Sequence, residues 1–181
     1  AAQIRQRMVA AGVHRVTDWP FQLDDICEFQ ITRSGIQGHL MGTGKTRIGL
    51  GTALLGGRHN CILVEAHLVA EIIEQIEEIG LPPEQYQVIE TPQQCEHLRK
   101  INIITYSRLR RPICEGAGRR TYASRLRRRF HTVVADEAHL LRNDTQQTRA
   151  VYQLSPKVRS GLSGTPVPNF VRDTLGLAYW S

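Results

Sequence analysis

Short apolar runs rich in β-branched residues alternate with helical patterns along most of the chain. Each run is continuous rather than interrupted by polar residues, which is typical of strands covered on both faces. These runs predict strands at Gly38–Met41, Cys61–Val64, Tyr86–Ile89, Ile101–Thr105, Thr132–Ala135 and Val158–Leu162. Because strands and helices alternate, the sequence predicts an α/β fold with a mainly parallel sheet and helices on both faces.

The clearest helical pattern lies between the second and third predicted strands. Its apolar positions recur three or four residues apart, at Leu68, Ile72, Ile76 and Ile79, and glutamates occupy the other side. Gly80 closes this amphipathic helix, and Pro82 and Pro83 prevent its continuation. A further helix is predicted over Arg47–Leu55. No linker, internal repeat or low-complexity tract divides the sequence, which predicts a single domain over residues 1–181.

The composition is that of a globular domain with excess positive charge. Of the 181 residues, 41% are hydrophobic, and Lys+Arg outnumber Asp+Glu by 23 to 17. No apolar run approaches the ~20 residues that span a bilayer, so no membrane partner is expected. The four cysteines are far apart and form no Cys-x-x-Cys pair. This spacing argues against a zinc ribbon and favours an intracellular compartment, the cytoplasm for a bacterial or phage protein or the nucleus for a eukaryotic one.

Much of the positive charge is concentrated in one block. Nine arginines lie from Arg108 to Arg129, and Glu115 is the one acidic residue among them. Guanidinium groups bind phosphate oxygens in pairs, so a block of this density indicates a polyanion partner. The alternative is a helix that carries arginines on several sides as a solvated face. Both interpretations stay open from the charge pattern alone.

The strongest local motif is Met41–Thr46, which reads Met-Gly-Thr-Gly-Lys-Thr and precedes a predicted helix. Glycines let the backbone wrap closely around phosphate, and the following helix directs its positive end at the same anion. Lys45 would reach the β- and γ-phosphates, and the hydroxyl of Thr46 would hold Mg²⁺. The full phosphate-loop pattern has a glycine where this chain has His39. The alternative is a glycine-rich turn that happens to precede a lysine.

A second motif follows the predicted strand Thr132–Ala135, where Asp136 and Glu137 come next. Ligands bind at the carboxyl ends of parallel strands in open α/β folds, so these carboxylates are expected beside the phosphate loop. Asp136 would complete the magnesium shell through water, and Glu137 would orient and deprotonate an attacking water. Taken alone, an acidic pair after a strand could be a plain helix N-terminus.

A third motif, Leu162–Pro166, reads Leu-Ser-Gly-Thr-Pro and also follows a predicted strand. Its hydroxyl residues, Ser163 and Thr165, could hydrogen-bond the acidic pair or His139 and so sense the γ-phosphate. Taken alone, this segment could be a simple turn. Its value lies in its position after the other two motifs.

In order and identity, these motifs resemble the first RecA-like lobe of a superfamily-two helicase, and more narrowly the Swi/Snf-type branch of DNA-translocating ATPases. The phosphate loop and the acidic motif are its most specific points, and the resemblance extends over most of the chain. Pro20–Gln22 resembles the family's Gln motif, and Cys61–Leu68 and Ile104–Arg110 resemble its two backbone-contact segments. Asp136–Asn143 resembles its acidic motif, and Leu162–Asn169 resembles its Thr-Gly-Thr-Pro segment. The chain departs from the family at Ala66, where proline is usual.

The resemblance implies a three-layer RecA-like phosphate-loop NTPase fold and a role for each matching residue. Gln22 would read adenine. The residues that bind ATP and Mg²⁺ would be Met41, Gly42, Thr43, Gly44, Lys45 and Thr46, with Asp136 as a further magnesium ligand. Hydrolysis would be performed by Lys45, Asp136 and Glu137. Coupling would fall to His139, Ser163 and Thr165, and contact with the nucleic-acid backbone to His67, Thr105 and Arg108.

By the same resemblance, the chain is expected to be the ATP-binding lobe of a DNA-dependent ATPase, a helicase or translocase acting on duplex DNA. A second RecA-like lobe, in the same or another chain, would supply the arginine fingers that stabilise the transition state. No part of residues 1–181 is left to form that lobe, so little turnover is expected from them alone. The alternatives are a restriction or RNA-remodelling motor and a non-enzymatic lobe that binds DNA or a protein partner.

Overall fold

The computed structural model describes residues 2–10, 20–38, 42–113 and 120–164. Its helices are α1 (Ala2–Ala10), α2 (Pro20–Thr32), α3 (Lys45–Leu55), α4 (Val69–Glu78), α5 (Tyr106–Leu109), α6 (Tyr122–Arg125) and α7 (Gln146–Gln153). Its strands are β1 (Ser34–Gly38), β2 (Asn60–Val64), β3 (Tyr86–Val88), β4 (Ile101–Thr105), β5 (Thr132–Ala135) and β6 (Val158–Ser163). None of these helices is long and apolar enough to cross a membrane.

The six strands form one sheet in the order β1-β6-β5-β2-β4-β3. Every neighbouring pair is parallel, so the predicted parallel sheet is confirmed. All strands therefore begin at one edge of the sheet, which we call the amino edge. They end at the opposite edge, which we call the carboxyl edge. Loops that lie far apart in the sequence meet at these two edges.

Helices bury both faces of the sheet. On β2, Ile62 and Val64 face the apolar cluster that includes α3, whereas Cys61 and Leu63 face the cluster that includes α7. Neighbouring positions of one strand are thus buried on opposite sides. This two-sided burial explains why the strands read as continuous apolar runs, and it gives the three-layer arrangement that was expected.

Helix α3 lies close against the sheet at Gly49. A Cβ at this position would stand 2.8 Å from Cδ1 of Leu162 and 2.9 Å from Cγ1 of Val134. Because interiors are closely packed, a larger residue here would push α3 away from β5 and β6. The same helix begins directly after the phosphate-loop motif, so its seating on the sheet also positions that loop.

The first strand begins four residues before its predicted start. Sequence patterning predicts Gly38–Met41, whereas β1 spans Ser34–Gly38 and pairs in parallel with Arg159–Ser163. The physical reason is that β1 is a half-buried edge strand whose sequence, Ser-Gly-Ile-Gln-Gly, contains no apolar run. Residues 39–41 lie outside the described part of the chain. The other predicted strands agree with the structure to within one residue at each end.

The helix predicted from Leu68 to Ile79 is confirmed as α4. Ile72 and Ile76 are buried, and Gly80 follows the helix with a φ of +75°, a left-handed conformation that glycine adopts at little cost. The helix predicted over Arg47–Leu55 is confirmed as α3, which begins two residues earlier.

The arginine block does not form one continuous helix. Thr121 caps α6, but that helix ends after Arg125, and Arg128 adopts a left-handed φ of 58°. Phe130, which is 3% exposed, then turns the chain into β5. The described part of the block is therefore not the single helix of the solvated-face alternative, and its contact with a polyanion stays a prediction. The block instead runs from the carboxyl end of β4 to the amino end of β5, so its two ends lie at opposite edges of the sheet.

Candidate active site

The phosphate-loop motif lies at the carboxyl edge, between β1 and α3. Gly42 and Gly44 have φ values of +80° and +74°, in the left-handed region that favours glycine. Helix α3 begins at Lys45, and the amides of Arg47 and Ile48 donate to the carbonyl of Gly44. The loop therefore leads straight into a helix N-terminus, whose amides and positive dipole end suit an anion.

Gln22 on α2 contacts the backbone of this loop. Its Nε2 donates to the carbonyl of Thr43 over 3.0 Å, and the residue is only 2% exposed. A Cβ on Gly44 would collide with the same Nε2. The residue expected to read adenine thus contacts the backbone of the phosphate loop, a contact that the sequence pattern did not predict. Its adenine-reading role stays a prediction.

The acidic motif follows β5 at the same edge. Asp136 is 8% exposed, and its amide donates to the carbonyl of Leu63, which ties it to β2. Glu137 adopts a φ of 49°, a rare conformation for a residue with a side chain, and its amide donates to Oδ1 of Asp136 over 3.1 Å. Strained backbone of this kind is concentrated at functional sites.

Burial is the main cause of an unusual pKa at Asp136. Burial and then the negative charge of Glu137 raise the pKa of this carboxyl, the amide of Glu137 and the charge of Lys45 lower it, and the net result is a pKa of about 6. A carboxylate held in this environment is stabilised by a bound cation. The site therefore suits a divalent metal ion.

One cavity of about 350 Å³ brings the two motifs together. Six predicted site residues line it: Gly42, Gly44, Lys45, Thr46, Asp136 and Glu137. Thr46 and Asp136, the two oxygen ligands predicted for Mg²⁺, both line this cavity, and their coordination of the ion stays a prediction.

Helix α4 forms the other wall of this cavity. Leu68, Glu71, Ile72 and Gln75 line it, and Nε2 of Gln75 donates to Oε1 of Glu71 over 3.2 Å. Sequence analysis missed this wall because Glu71 and Gln75 read as the solvated side of an amphipathic helix. Only the packing of α4 beside the phosphate loop reveals the contact.

His139 connects the acidic motif to β6. Its Nδ1 lies 3.0 Å from Oε2 of Glu137 and 3.3 Å from Oγ of Ser163, the last residue of β6. The structure thus brings together two of the three residues predicted to couple hydrolysis to nucleic acid. The third, Thr165, lies outside the described residues, as does Met41 of the phosphate loop.

The residues predicted to face nucleic acid also lie at the carboxyl edge. His67 is exposed just after β2, and Thr105 ends β4. Oγ1 of Thr105 accepts a hydrogen bond from the amide of Arg108 over 3.1 Å and so caps α5. The Arg108 guanidinium carbon lies 5.9 Å from the centre of the Tyr122 ring. Their contact with nucleic acid stays a prediction.

Tyr106 joins this segment to the acidic motif. Its hydroxyl donates to the carbonyl of Asp136 over 2.5 Å, and the residue is 3% exposed. Burial first, and then the charge of Asp136, raise the pKa of this phenol well above its ordinary value, so it remains a donor. Sequence analysis missed the role of Tyr106, because an aromatic residue between Thr105 and Ser107 reads as a core residue.

A comparison with protein families shows to which family the chain belongs. The model of the SNF2-related domain matches residues 73–179, more than half of the chain. The chain belongs to this family. The match contains the C-terminal part of α4, the acidic motif and β6, and it confirms the resemblance to the Swi/Snf-type branch. A comparison with curated protein sequences gives no match.

Solved structures of helicase cores share the fold of this SNF2-related domain. The Sulfolobus solfataricus SWI2/SNF2 ATPase core in complex with dsDNA has a TM-score of 0.73 at 20% identity, over 89% of this chain and 35% of that one. The UvsW helicase of bacteriophage T4 has a TM-score of 0.69 at 14% identity, over 90% of this chain and 58% of that one. The Pyrococcus furiosus Hef helicase domain has a TM-score of 0.67 at 18% identity, over 87% of this chain and 35% of that one. The chain thus has the RecA-like α/β fold and spans roughly a third to three fifths of these proteins.

Proposed function

We propose that this SNF2-related domain is the ATP-binding lobe of a DNA-dependent ATPase, which couples ATP hydrolysis to movement on DNA. One observation carries the proposal. A glycine loop at a helix N-terminus, the lysine that follows it and a buried acidic pair line a single cavity, although about ninety residues separate them in the sequence. A domain that only binds DNA or protein has no need of this combination.

The amides at the start of α3 and the ammonium of Lys45 bind the triphosphate. Thr46 and Asp136 hold Mg²⁺, which neutralises charge on the phosphates when it is bound. The raised pKa of Asp136 supports this assignment, since a cation would offset the burial of the carboxylate next to Glu137.

Glu137 acts as the general base. It orients a water and takes its proton as the water oxygen attacks the γ-phosphorus and the bond to the ADP oxygen breaks. His139, 3.0 Å from Oε2 of Glu137, holds that carboxylate in place. Its second contact, with Ser163, supports a path along which events at the acidic motif reach β6.

Duplex DNA is the proposed substrate track, and His67, Thr105 and Arg108 at the carboxyl edge are its proposed contacts. The Sulfolobus neighbour is a complex with dsDNA, which supports this choice over RNA. A second RecA-like lobe completes the site and supplies the arginine fingers, which are typically worth about 10³–10⁵ in rate. Residues 1–181 alone should therefore bind ATP but turn it over slowly.

Calorimetric titration with Mg-ATP tests the proposal. The chain should bind saturably, and Lys45→Ala should lose that binding while its circular dichroism spectrum stays unchanged. Lys157→Ala is the matched control, because it removes the same charge from the opposite edge of the sheet. Equal affinities of the wild-type protein and Lys45→Ala, or no binding by the wild-type chain at millimolar ATP, would contradict an ATP site formed by this lobe.

A further inference from the structure

The amino edge of the sheet carries a row of basic residues. A lysine or arginine occupies at least one of the three positions before each of five strands, and we take Arg33 before β1, Arg58 before β2, Lys100 before β4, Arg129 before β5 and Lys157 before β6. None of those positions holds an aspartate or glutamate. We call these five residues the basic rim.

The fold brings the rim together from distant parts of the sequence. The five strands are neighbours in the sheet, and parallel strands lie about 4.8 Å apart, so the rim extends over about 20 Å. Backbone hydrogen bonds join its loops. The amide of His131 donates to the carbonyl of His59, and the amide of Lys157 donates to the carbonyl of His131. The amide of Asn60 donates to the carbonyl of Lys100.

The charges of the rim are not neutralised by nearby acids. In the described ranges, Arg58, Arg129 and Lys157 are exposed and form no ion pair with a carboxylate, whereas arginines outside the rim do. Among the described arginines outside the rim, three form such pairs, which are Arg47–Glu78, Arg125–Glu96 and Arg149–Asp144.

The titration of His131 reports the same positive field. Its pKa is lowered, first by partial burial and then by the charges of Lys157, Arg33 and Lys100. Charges from three other loops thus act on one imidazole at this edge.

A cavity of about 640 Å³ extends this positive surface along α6 and α7. Arg127 lines it together with Tyr152 and Ser155, as does Arg149, whose charge is paired with Asp144. It opens beside the loop that carries Arg129, because the amide of Arg128 donates to the carbonyl of Leu154 at the end of α7. The surface is therefore concave at one end, which suits a partner that presents several anions along its length.

One member of the rim also has a structural function. Nζ of Lys100 donates to the carbonyls of Gly56 and Gly57, which end α3, over 3.2 and 3.0 Å. Cations at helix C-termini stabilise the helix dipole. Arg129 and Lys157 have no such bond in the described part of the chain, so a helix-capping role does not account for them.

We propose that the basic rim is a second nucleic-acid-binding surface, which contacts the phosphate backbone of duplex DNA at the edge of the lobe opposite the ATP site. A row of cations about 5 Å apart matches a partner with regularly spaced negative charge, and duplex DNA carries about one charge per 1.7 Å of its axis. Arginine forks bind phosphate oxygens in pairs. Contact with phosphates alone makes the binding independent of base sequence and strongly dependent on salt. The rim requires neither ATP nor the second lobe.

Lysine footprinting tests the rim directly, because the chain has three lysines: Lys45 in the phosphate loop and Lys100 and Lys157 in the rim. An amine-reactive reagent and mass spectrometry would measure their modification with and without a short duplex. The duplex should lower modification of Lys157 severalfold. Mg-ATP should protect Lys45 and leave Lys157 unchanged, so failure of the ATP site and failure of the rim give different results. Equal modification of Lys157 with and without saturating duplex would overturn the proposal.

Variants supply the second measurement. Arg129→Gln/Lys157→Gln removes two rim charges, and Arg47→Gln/Arg125→Gln removes the same charge from arginines that already have carboxylate partners. Fluorescence anisotropy of a labelled duplex across a salt series should show the slope of log K against log salt falling by about 2 in the rim variant. The control should retain the wild-type slope. Equal changes in both variants would mean that binding follows net charge alone and would overturn the rim.

A polyglutamate chain at the same charge concentration distinguishes the chemical class of the partner. It should protect Lys157 less than the duplex does. Protection by polyglutamate without protection by DNA would overturn the proposal in favour of an acidic protein segment.

Discussion

The two edges of the sheet use their charges in opposite ways. At the carboxyl edge, Lys45, Asp136 and Glu137 place both signs of charge around one cavity, and the helix start of α3 adds its amides. At the amino edge, the described loops before five strands carry one sign, on side chains that are exposed except for that of Lys100. Mixed charge in a partly buried cavity suits a small ligand with phosphates and a metal ion, whereas one sign on an open surface suits a polyanion.

The two edges also differ in their effect on the stability of the fold. The carboxyl edge holds a buried carboxylate with a raised pKa and places Glu137 in a left-handed conformation. Both features oppose stability and are retained where chemistry requires them. At the rim, charged groups such as Arg129 and Lys157 stay in water and cost little. Substitutions at the two edges should therefore separate function from stability in different ways.

The largest effect is expected from Glu137→Gln at the carboxyl edge. In the complete protein with its second lobe, hydrolysis should fall by about 10²–10⁴, because an amide cannot accept the proton of the attacking water. Mg-ATP affinity should stay within a few-fold of the wild-type value. Single-turnover hydrolysis and a nucleotide-binding titration measure the two quantities. Unchanged turnover would remove Glu137 from the base role.

The phosphate loop should show the next largest effect, in a comparison of two glycines. Both have a positive φ, but a Cβ on Gly44 collides with Gln22, whereas a Cβ on Gly42 meets nothing within 4 Å. Gly42→Ala should therefore cost about 1 kcal/mol of folding free energy from backbone strain alone. Gly44→Ala should cost more and should weaken ATP binding further.

Adding Gln22→Ala completes the double-mutant cycle. It should relieve part of the Gly44→Ala defect and none of the Gly42→Ala defect, since only the first involves the Gln22 side chain. Denaturant unfolding and ATP titration of the three single and two double variants measure the coupling. Additive effects of Gly44→Ala and Gln22→Ala would show that Gln22 does not hold the loop.

Asp136→Asn should stabilise the protein in the absence of metal. The pKa of this carboxyl is about 6 in the folded protein against an ordinary 3.8, so both states are protonated below 3.8 and the native state loses stability as the pH rises from there to about 6. At pH 7.5, in the presence of a chelator, Asn should gain about 1–3 kcal/mol over Asp, and the gain should vanish near pH 3.5. A pH series of unfolding free energies checks the sign. A constant difference at every pH would mean that the carboxyl is not perturbed.

The contrast between edges also explains what could be predicted from the sequence. Strands such as β2 and β5 were predictable because burial on both faces leaves a continuous apolar run, whereas β1 was missed because Ile36 is its one apolar residue. The phosphate loop and the acidic pair are local motifs, so their meeting at the carboxyl edge followed once the sheet was taken as parallel.

Contacts between distant segments could not be predicted in the same way. The bond from Gln22 to Thr43 joins residues 21 positions apart, and that from Tyr106 to Asp136 joins residues 30 apart. The rim is another such case. Its members are single basic residues in separate loops, and only the strand order places them in one row. The dense arginine block is the more conspicuous feature of the sequence, although its two ends lie at opposite edges of the sheet.

The smallest expected effect is a change in the free energy of unfolding when rim charges are removed. It should have the opposite sign to the change in the control variant. Like charges that lack partners repel each other, so Arg129→Gln/Lys157→Gln should stabilise the fold by about 0.2–0.5 kcal/mol at low salt. Arg47→Gln/Arg125→Gln breaks exposed ion pairs and should destabilise it by about 0.2–1 kcal/mol. Both differences should shrink near 1 M salt, where the screening length falls to about 3 Å. Denaturant unfolding at the two salt concentrations measures them, and a rim variant that is destabilised at low salt would mean that these cations are held by partners within the fold.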